Sequence, residues 1–219
     1  MQQACATQEE NFESFWKEVI LKKFPKARIK TKDQSKLMRF LGLFSRSFYR
    51  NLTTVIGNTI YFPAKQDYRT WSGLRTLAHE FVHMVDRKNL PFCVFELQYL
   101  FPQILAIFSL FSILAFYNIW FIGFFIFLAF LIPGIPSKTR TNLEANAYTM
   151  TIFMTYQGMS WWNYMVHRTA LSIADELAGK NYYFACRDRQ ALANMLKNRY
   201  DVLSRTHEAF KEVRKWLEA

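Results

Sequence analysis

Apolar and polar positions divide the chain into segments of different period. Phe12, Phe15, Trp16, Val19 and Ile20 share one helical face, with Glu9, Glu10 and Lys17 on the other. That spacing predicts an amphipathic helix over residues 8–24, stopped by Pro25. Residues 26–50 are basic and mixed, with a short helix expected around Leu37–Phe44. From Thr53 to Pro63 the chain is β-branched and aromatic around a central Gly57-Asn58. This reads as two short strands joined at a tight turn, with Pro63 suited to the end of an edge strand. From about Thr70 to Arg87 the period is helical again: Leu74, Leu77, Ala78, Phe81, Val82 and Val85 make a broad apolar face, and Pro91 prevents continuation.

Next comes a stretch with no polar face at all. Between Glu96 and Lys138 no side chain is charged, and Phe121 to Ile132 is almost wholly apolar. A membrane span needs about 20 apolar residues, so the run holds one generous span or two short ones, and core helices of soluble proteins ordinarily keep a polar side. Residues 97–136 are therefore expected to insert in a membrane. Asn118, beside Tyr117 and Trp120, is the most polar point near the middle. Residues 141–219 return to amphipathic helical character, with helices expected over 142–157, 161–177 and from about Asp188 to Leu217. Residues 1–219 thus read as a single domain, α+β but mostly helical, with a small edge sheet.

Composition changes this picture in two ways. The formal charge of +11 favours an anionic neighbour, a membrane surface or nucleic acid. No basic run interleaved with aromatics and no helix-turn-helix or zinc-finger spacing is present, so nucleic acid is not the expected partner. The three scattered cysteines, Cys5, Cys93 and Cys186, form no CxxC pair and fit a reducing compartment. The first residues lack a basic region before an apolar stretch and are not expected to act as a secretory signal.

The candidate chemistry sits in His79-Glu80-Phe81-Val82-His83. HExxH on a helix places two imidazoles one turn apart on one face, where both reach a single ion. The intervening Glu80 faces the adjoining side, placed to take a proton from water activated by Zn²⁺. A hydrolytic zinc site needs a third protein ligand and an open position. His167 and His207 are isolated candidates. Among carboxylates, Glu144 in Glu144-Ala-Asn-Ala147-Tyr148 is preferred to Glu176, which stands near a predicted helix end with Gly179 close behind.

Glu144 as a ligand fixes the topology of the apolar run. His83 and Glu144 flank it, so a single crossing would leave them on opposite sides of the membrane. Two antiparallel helices turning near Tyr117–Asn118 return the chain to the side it left. As α-helix each arm of about 15 residues would measure roughly 22 Å, short of the ~30 Å hydrocarbon layer.

A helix bearing HExxH after an edge strand, then a hydrophobic hairpin, then Glu144-x-x-Ala147, resembles the gluzincin metallopeptidases. It is similar in particular to the HtpX and CAAX prenyl protease type, over roughly residues 50–150. The resemblance implies zinc held by His79, His83 and Glu144, and an edge strand, Asn58, Thr59, Ile60, Tyr61 and onward, that pairs with extended substrate. Two features depart from that type: Tyr148 stands where Asp is usual after Glu-x-x-Ala, and no run of apolar helices precedes the motif. His83-Met-Val-Asp86 also resembles the soluble MtfA-like peptidases.

Three further residues are candidates. Asp86 falls on the face of His79 and His83, where it can hold an imidazole N–H. Tyr148 and His167 are candidates for stabilising an oxyanion. The expectation is a membrane-associated zinc metalloendopeptidase acting on a peptide or protein. Arg87 and Lys88 before the hairpin and Lys138 and Arg140 after it put the catalytic side in the cytoplasm. The alternative is a non-catalytic membrane-binding or assembly protein with a structural zinc site.

Overall fold

The computed structural model describes residues 2–44, 46–91, 93–101, 103–131, 137–156, 162–179 and 188–219. These are mostly helical, with one small three-stranded sheet, as expected for the α+β class. The first helix, α1 (Gln2–Phe15), continues as a π-helical stretch, Trp16–Leu21, and buries Phe12, Phe15, Val19 and Ile20. Strand β1 (Arg28–Thr31) follows, then α2 (Lys36–Phe44) and α3 (Arg46–Asn51). Strands β2 (Thr54–Ile56) and β3 (Thr59–Phe62) form the expected hairpin around Gly57, whose φ of +61° suits a residue without a side chain.

The sheet order is β1-β3-β2, with β1 parallel and β2 antiparallel to β3. This corrects the edge-strand expectation. Arg28 donates its N–H to the Asn58 carbonyl at 2.8 Å, and Thr59, Ile60 and Tyr61 are paired on both sides, so this segment has no open edge for a substrate. The cause is β1, concealed in a basic segment whose short alternation gave no strand signal. The outer strands are β1 and β2.

Helix α4 (Trp71–Asn89) starts at Thr70, whose side chain accepts from the Gly73 N–H at 3.2 Å. Gly73 is required there, because a Cβ would lie 1.8 Å from the Tyr68 carbonyl oxygen. Helix α5 (Val94–Leu100) leads into two 3₁₀ arms, Gln103–Phe116 and Ile119–Leu131. Ring contacts Phe108–Phe127 (5.4 Å) and Phe111–Phe124 (5.5 Å) set the arms antiparallel, and Asn118 Oδ1 accepts from the Trp120 N–H at 3.0 Å in the turn. The hairpin thus turns at Tyr117–Asn118, as expected. At about 2 Å per residue, 3₁₀ arms of 14 and 13 residues measure roughly 26–28 Å, longer than the α-helical expectation. Its end, residues 132–136, lies outside the described residues. Among the described residues no single helix is long and apolar enough to cross a membrane; α5 and the first arm pass that test only as a pair bent by 83°.

The C-terminal part comprises α6 (Lys138–Tyr156), α7 (Trp162–Leu177), α8 (Arg189–Thr206) and α9 (Glu208–Glu218). One long helix was expected over the last two, but the chain breaks at His207. The His207 backbone is extended, and its Nδ1 accepts from the Ala209 N–H at 3.2 Å, capping α9. Trp161 and Cys186 lie outside the described residues; Cys93 is a free, exposed thiol. One buried cluster joins α1, the sheet, α4, α6 and α9, and a second joins α6, α7 and α8. Helix α6 belongs to both, which makes it a rigid base for the side chains it carries.

Candidate metal centre

Helices α4 and α6 pack antiparallel, and polar contacts mark the seam. Arg75 Nη1 donates to Thr155 Oγ1 at 3.3 Å, His79 Nδ1 lies 3.5 Å from Thr151 Oγ1, and Asn146 Nδ2 donates to Asp86 Oδ2 at 3.3 Å. Within this seam His79 and His83 project from successive turns of α4, and Glu144 projects from the first half of α6, just beyond the Asn146 end. The two antiparallel arms fall between α4 and α6 in the chain, and His79, His83 and Glu144 meet across the seam.

The three side chains converge. Their ligating atoms all lie within 4.8 Å of one another, and each residue is buried. Glu144 Oε2 stands 3.5 Å from His79 Nε2 and 3.8 Å from His83 Nε2. It is buried and has no hydrogen-bond partner among the described residues. A carboxylate oxygen in that condition costs about 1–3 kcal/mol or more unless a cation meets it. Two imidazole nitrogens and this oxygen form a donor set that fits a metal ion. Thr151 beside His79 Nδ1 helps hold the ring so that Nε2 faces the carboxylate.

Electrostatics follow from the crowding. Burial alone would raise Glu144, but the imidazoles and Arg140 outweigh it and bring its pKa down to about 2. Burial disfavours charge on His83 and lowers it to about 4. His79 feels the same burial, yet Glu144 and Glu80 carry its pKa upward. Glu80 is 6% exposed, and burial raises it to about 7, with His79 and Lys32 pulling the other way. Lys32, just after β1, is fully buried; its Nζ donates to the Phe48 carbonyl at 2.5 Å and sits 3.7 Å over the Phe48 ring. Burial lowers its pKa to about 8 despite attraction to Glu80.

Helix α5 covers the trio. The Tyr99 hydroxyl donates to Glu144 Oε1. The Tyr99 and Phe95 rings meet the His83 ring at 5.9 and 6.1 Å, and the Arg140 guanidinium lies 4.8 Å over the Tyr99 ring. Neither Tyr99 nor Lys32 was singled out from the sequence. Glu96-Leu-Gln-Tyr99 stands at the mouth of the apolar run, where an aromatic reads as an interfacial residue, and Lys32 is one cation in a basic stretch.

No protein-family model matches this chain, and no curated protein or solved structure matches it.

The other candidates fall in different places. Tyr148 lies one turn after Glu144, its ring meeting His79 edge-on at 4.7 Å. His167 is half-buried on α7, and no hydrogen bond, ion pair or ring contact joins it to the trio among the described residues. Glu176, the rival ligand, is exposed on α7, and the carboxylate beside both imidazoles is Glu144. Asp86 turns to His207, whose Nε2 lies 2.8 Å from its Oδ1, and to Asn146, rather than holding a ligand imidazole. With His207 Nδ1 accepting from α9, Nε2 carries the hydrogen and donates to Asp86. His207, weighed as an isolated ligand, thus serves to join α9 to α4.

Proposed function

We propose that this chain is a membrane-associated zinc metallopeptidase of gluzincin type, hydrolysing peptide bonds in peptide or protein substrates with its catalytic side in the cytoplasm. The observation that carries the reading is Glu144 Oε2, a buried carboxylate oxygen with no hydrogen-bond partner among the described residues, facing two imidazole nitrogens, with the carboxyl of Glu80 on the same helix as those imidazoles. Two imidazoles and one carboxylate are a hydrolytic zinc set. His79, His83 and Glu144 would hold the ion, which supplies Lewis acidity toward water and the scissile carbonyl when bound.

The chain's own residues supply the proton chemistry. Glu80, between the two imidazoles on α4, would take the proton of the attacking water and return it to the departing amine. Tyr148, seated against His79, is better placed than His167 to donate to a developing oxyanion. An extended peptide would add to an outer strand, β1 or β2, instead of β3. The hairpin tip exposes Phe116 (92%) and Trp120 (84%), a surface suited to lipid, and the net charge of +11 suits an anionic leaflet.

Elemental analysis of the purified chain tests the metal. One zinc per chain is expected, lost in Glu144→Ala and retained in Glu176→Ala; a zinc-free wild type prepared without chelator would refute the proposal. The burial of the site under α5 favours a second reading, a structural zinc in a membrane-bound protein without catalysis. Glu80→Gln separates the two: it should keep zinc and abolish peptide hydrolysis, whereas a structural site has no hydrolysis to lose.

A further inference from the structure

We propose that Tyr99 is a positioning residue for the metal, reserving Glu144 Oε2 as the single ligating oxygen by holding Oε1. This deepens the metallopeptidase reading and rests on it. A carboxylate on a free side chain can ligate through either oxygen or both. Here the two oxygens are inequivalent: Oε1 accepts the Tyr99 hydroxyl hydrogen, and Oε2 faces both imidazoles. With one lone pair of Oε1 engaged from the α5 side, rotation of the carboxylate toward a two-oxygen grip would break that hydrogen bond.

The phenol is itself fixed from several directions. Phe95 stacks near-parallel to it at 6.0 Å and 18°, His83 meets it edge-on at 82°, and Arg140, one turn before Glu144, lies over its face. Its helix is tied to both ligand-bearing helices. Arg87 of α4 donates to Glu96 Oε1 at 2.5 Å, and Thr139 of α6 donates through Oγ1 to the Gln98 carbonyl at 2.8 Å. No residue of α5 is fully buried, so these polar ties and ring contacts, rather than a core of its own, keep the short helix in place. Helix α5 is thus a strap across the centre, and Tyr99 is the residue of it that hydrogen-bonds a ligand.

The test compares Tyr99→Phe with Phe95→Leu in the full chain in mild detergent. The first removes only the hydroxyl; the second loosens the packing of α5, including the Phe95 contact with the His83 ring, and leaves the donor. Zinc affinity is measured by competition with a chromophoric chelator, and the ligand field by the absorption spectrum of the cobalt-substituted protein. Tyr99→Phe should weaken zinc binding about 10- to 100-fold, the range for loss of a hydrogen bond to a ligating group, and shift the cobalt bands, while Phe95→Leu changes both much less. Far-UV circular dichroism establishes that both variants fold. Equal loss in the two variants would reduce Tyr99 to a packing residue and overturn the proposal, as would wild-type affinity and spectrum in Tyr99→Phe. A wild type that binds neither zinc nor cobalt would remove the metal reading and this proposal together, whereas metal binding that is lost in Glu144→Ala but unmoved in Tyr99→Phe sinks only the latter.

Discussion

Replacing Lys32 with methionine should stabilise the protein at neutral pH while impairing the site. Lys32 is fully buried, its ammonium met by one backbone carbonyl and one ring face. Its pKa falls from 10.5 to about 8. At 1.36 kcal/mol per pH unit that corresponds to roughly 3 kcal/mol of cost in keeping the charged form folded at pH 7. Methionine fills a similar volume without charge but removes the ammonium donor to the Phe48 carbonyl, which costs about 1–2 kcal/mol. A net gain of about 1–2 kcal/mol is expected. The sign follows from proton counting. Between about pH 8 and 10.5 the unfolded chain holds the Lys32 proton and the folded chain has released it, so wild-type stability rises with pH across that window. The advantage of Lys32→Met is therefore full below pH 8 and disappears toward pH 10.5. Urea unfolding of the metal-free chain in mild detergent at several pH values measures this. A methionine variant less stable than wild type at pH 7, or an advantage that does not shrink by pH 10.5, would refute the reasoning. In the zinc-loaded protein, loss of the neighbouring cation should also move the acidic limb of the pH–rate profile upward, because Lys32 helps hold Glu80 down.

Other expectations follow from the same contacts. In the metal-free chain Glu144, with a pKa near 2, contributes stability above its ordinary value of 4.5 that is lost as pH falls toward 2; acid melts of wild type and Glu144→Gln should converge over that range. His207→Ala should lower stability by about 2–4 kcal/mol, combining a lost cap with a lost hydrogen bond to Asp86, and leave zinc content unchanged; a melting temperature equal to wild type would refute the joint between α4 and α9. Phe116→Ser and Trp120→Ser should each weaken partitioning into anionic vesicles about tenfold or more, since burying such a side chain contributes about 1.5–3 kcal/mol; unchanged co-sedimentation would argue that the hairpin tip does not enter lipid.

What could be read along the chain, and what could not, separates by the range of the interaction involved. The α4 helix was legible because its cap, apolar face and stop are all local: Thr70, the run from Leu74 to Val85, and Pro91. The pair His79 and His83 was legible for the same reason, since one helical turn brings them together whatever surrounds them. Glu144 is preferred to Glu176 on local grounds, as a carboxylate within a helix just after the uncharged run, and that choice then demands that the run double back. The Phe108–Phe127 and Phe111–Phe124 contacts have that antiparallel form. Strand β1 was not legible, because a four-residue strand of alternating exposure among basic residues acquires its identity only from pairing with β3; missing it turned a central strand into an apparent edge. The break at His207 is not legible because a histidine is not an ordinary helix cap: its Nδ1 accepts from the Ala209 N–H while its Nε2 meets Asp86 of α4. Tyr99 and Lys32 were hidden because an aromatic beside an apolar run and a lysine in a basic segment have ordinary local explanations. Their roles come from what packs over them, Arg140 and Glu144 for one and Phe48 for the other. The ligands thus come from local spacing and helix position, and the doubling back of the run follows from them, whereas the groups that hold and tune them come from tertiary contacts between α5, α6 and the segment after β1. That division places the specific behaviour of this site, its closure by α5 and the buried cation near Glu80, in residues that the HExxH motif leaves unspecified.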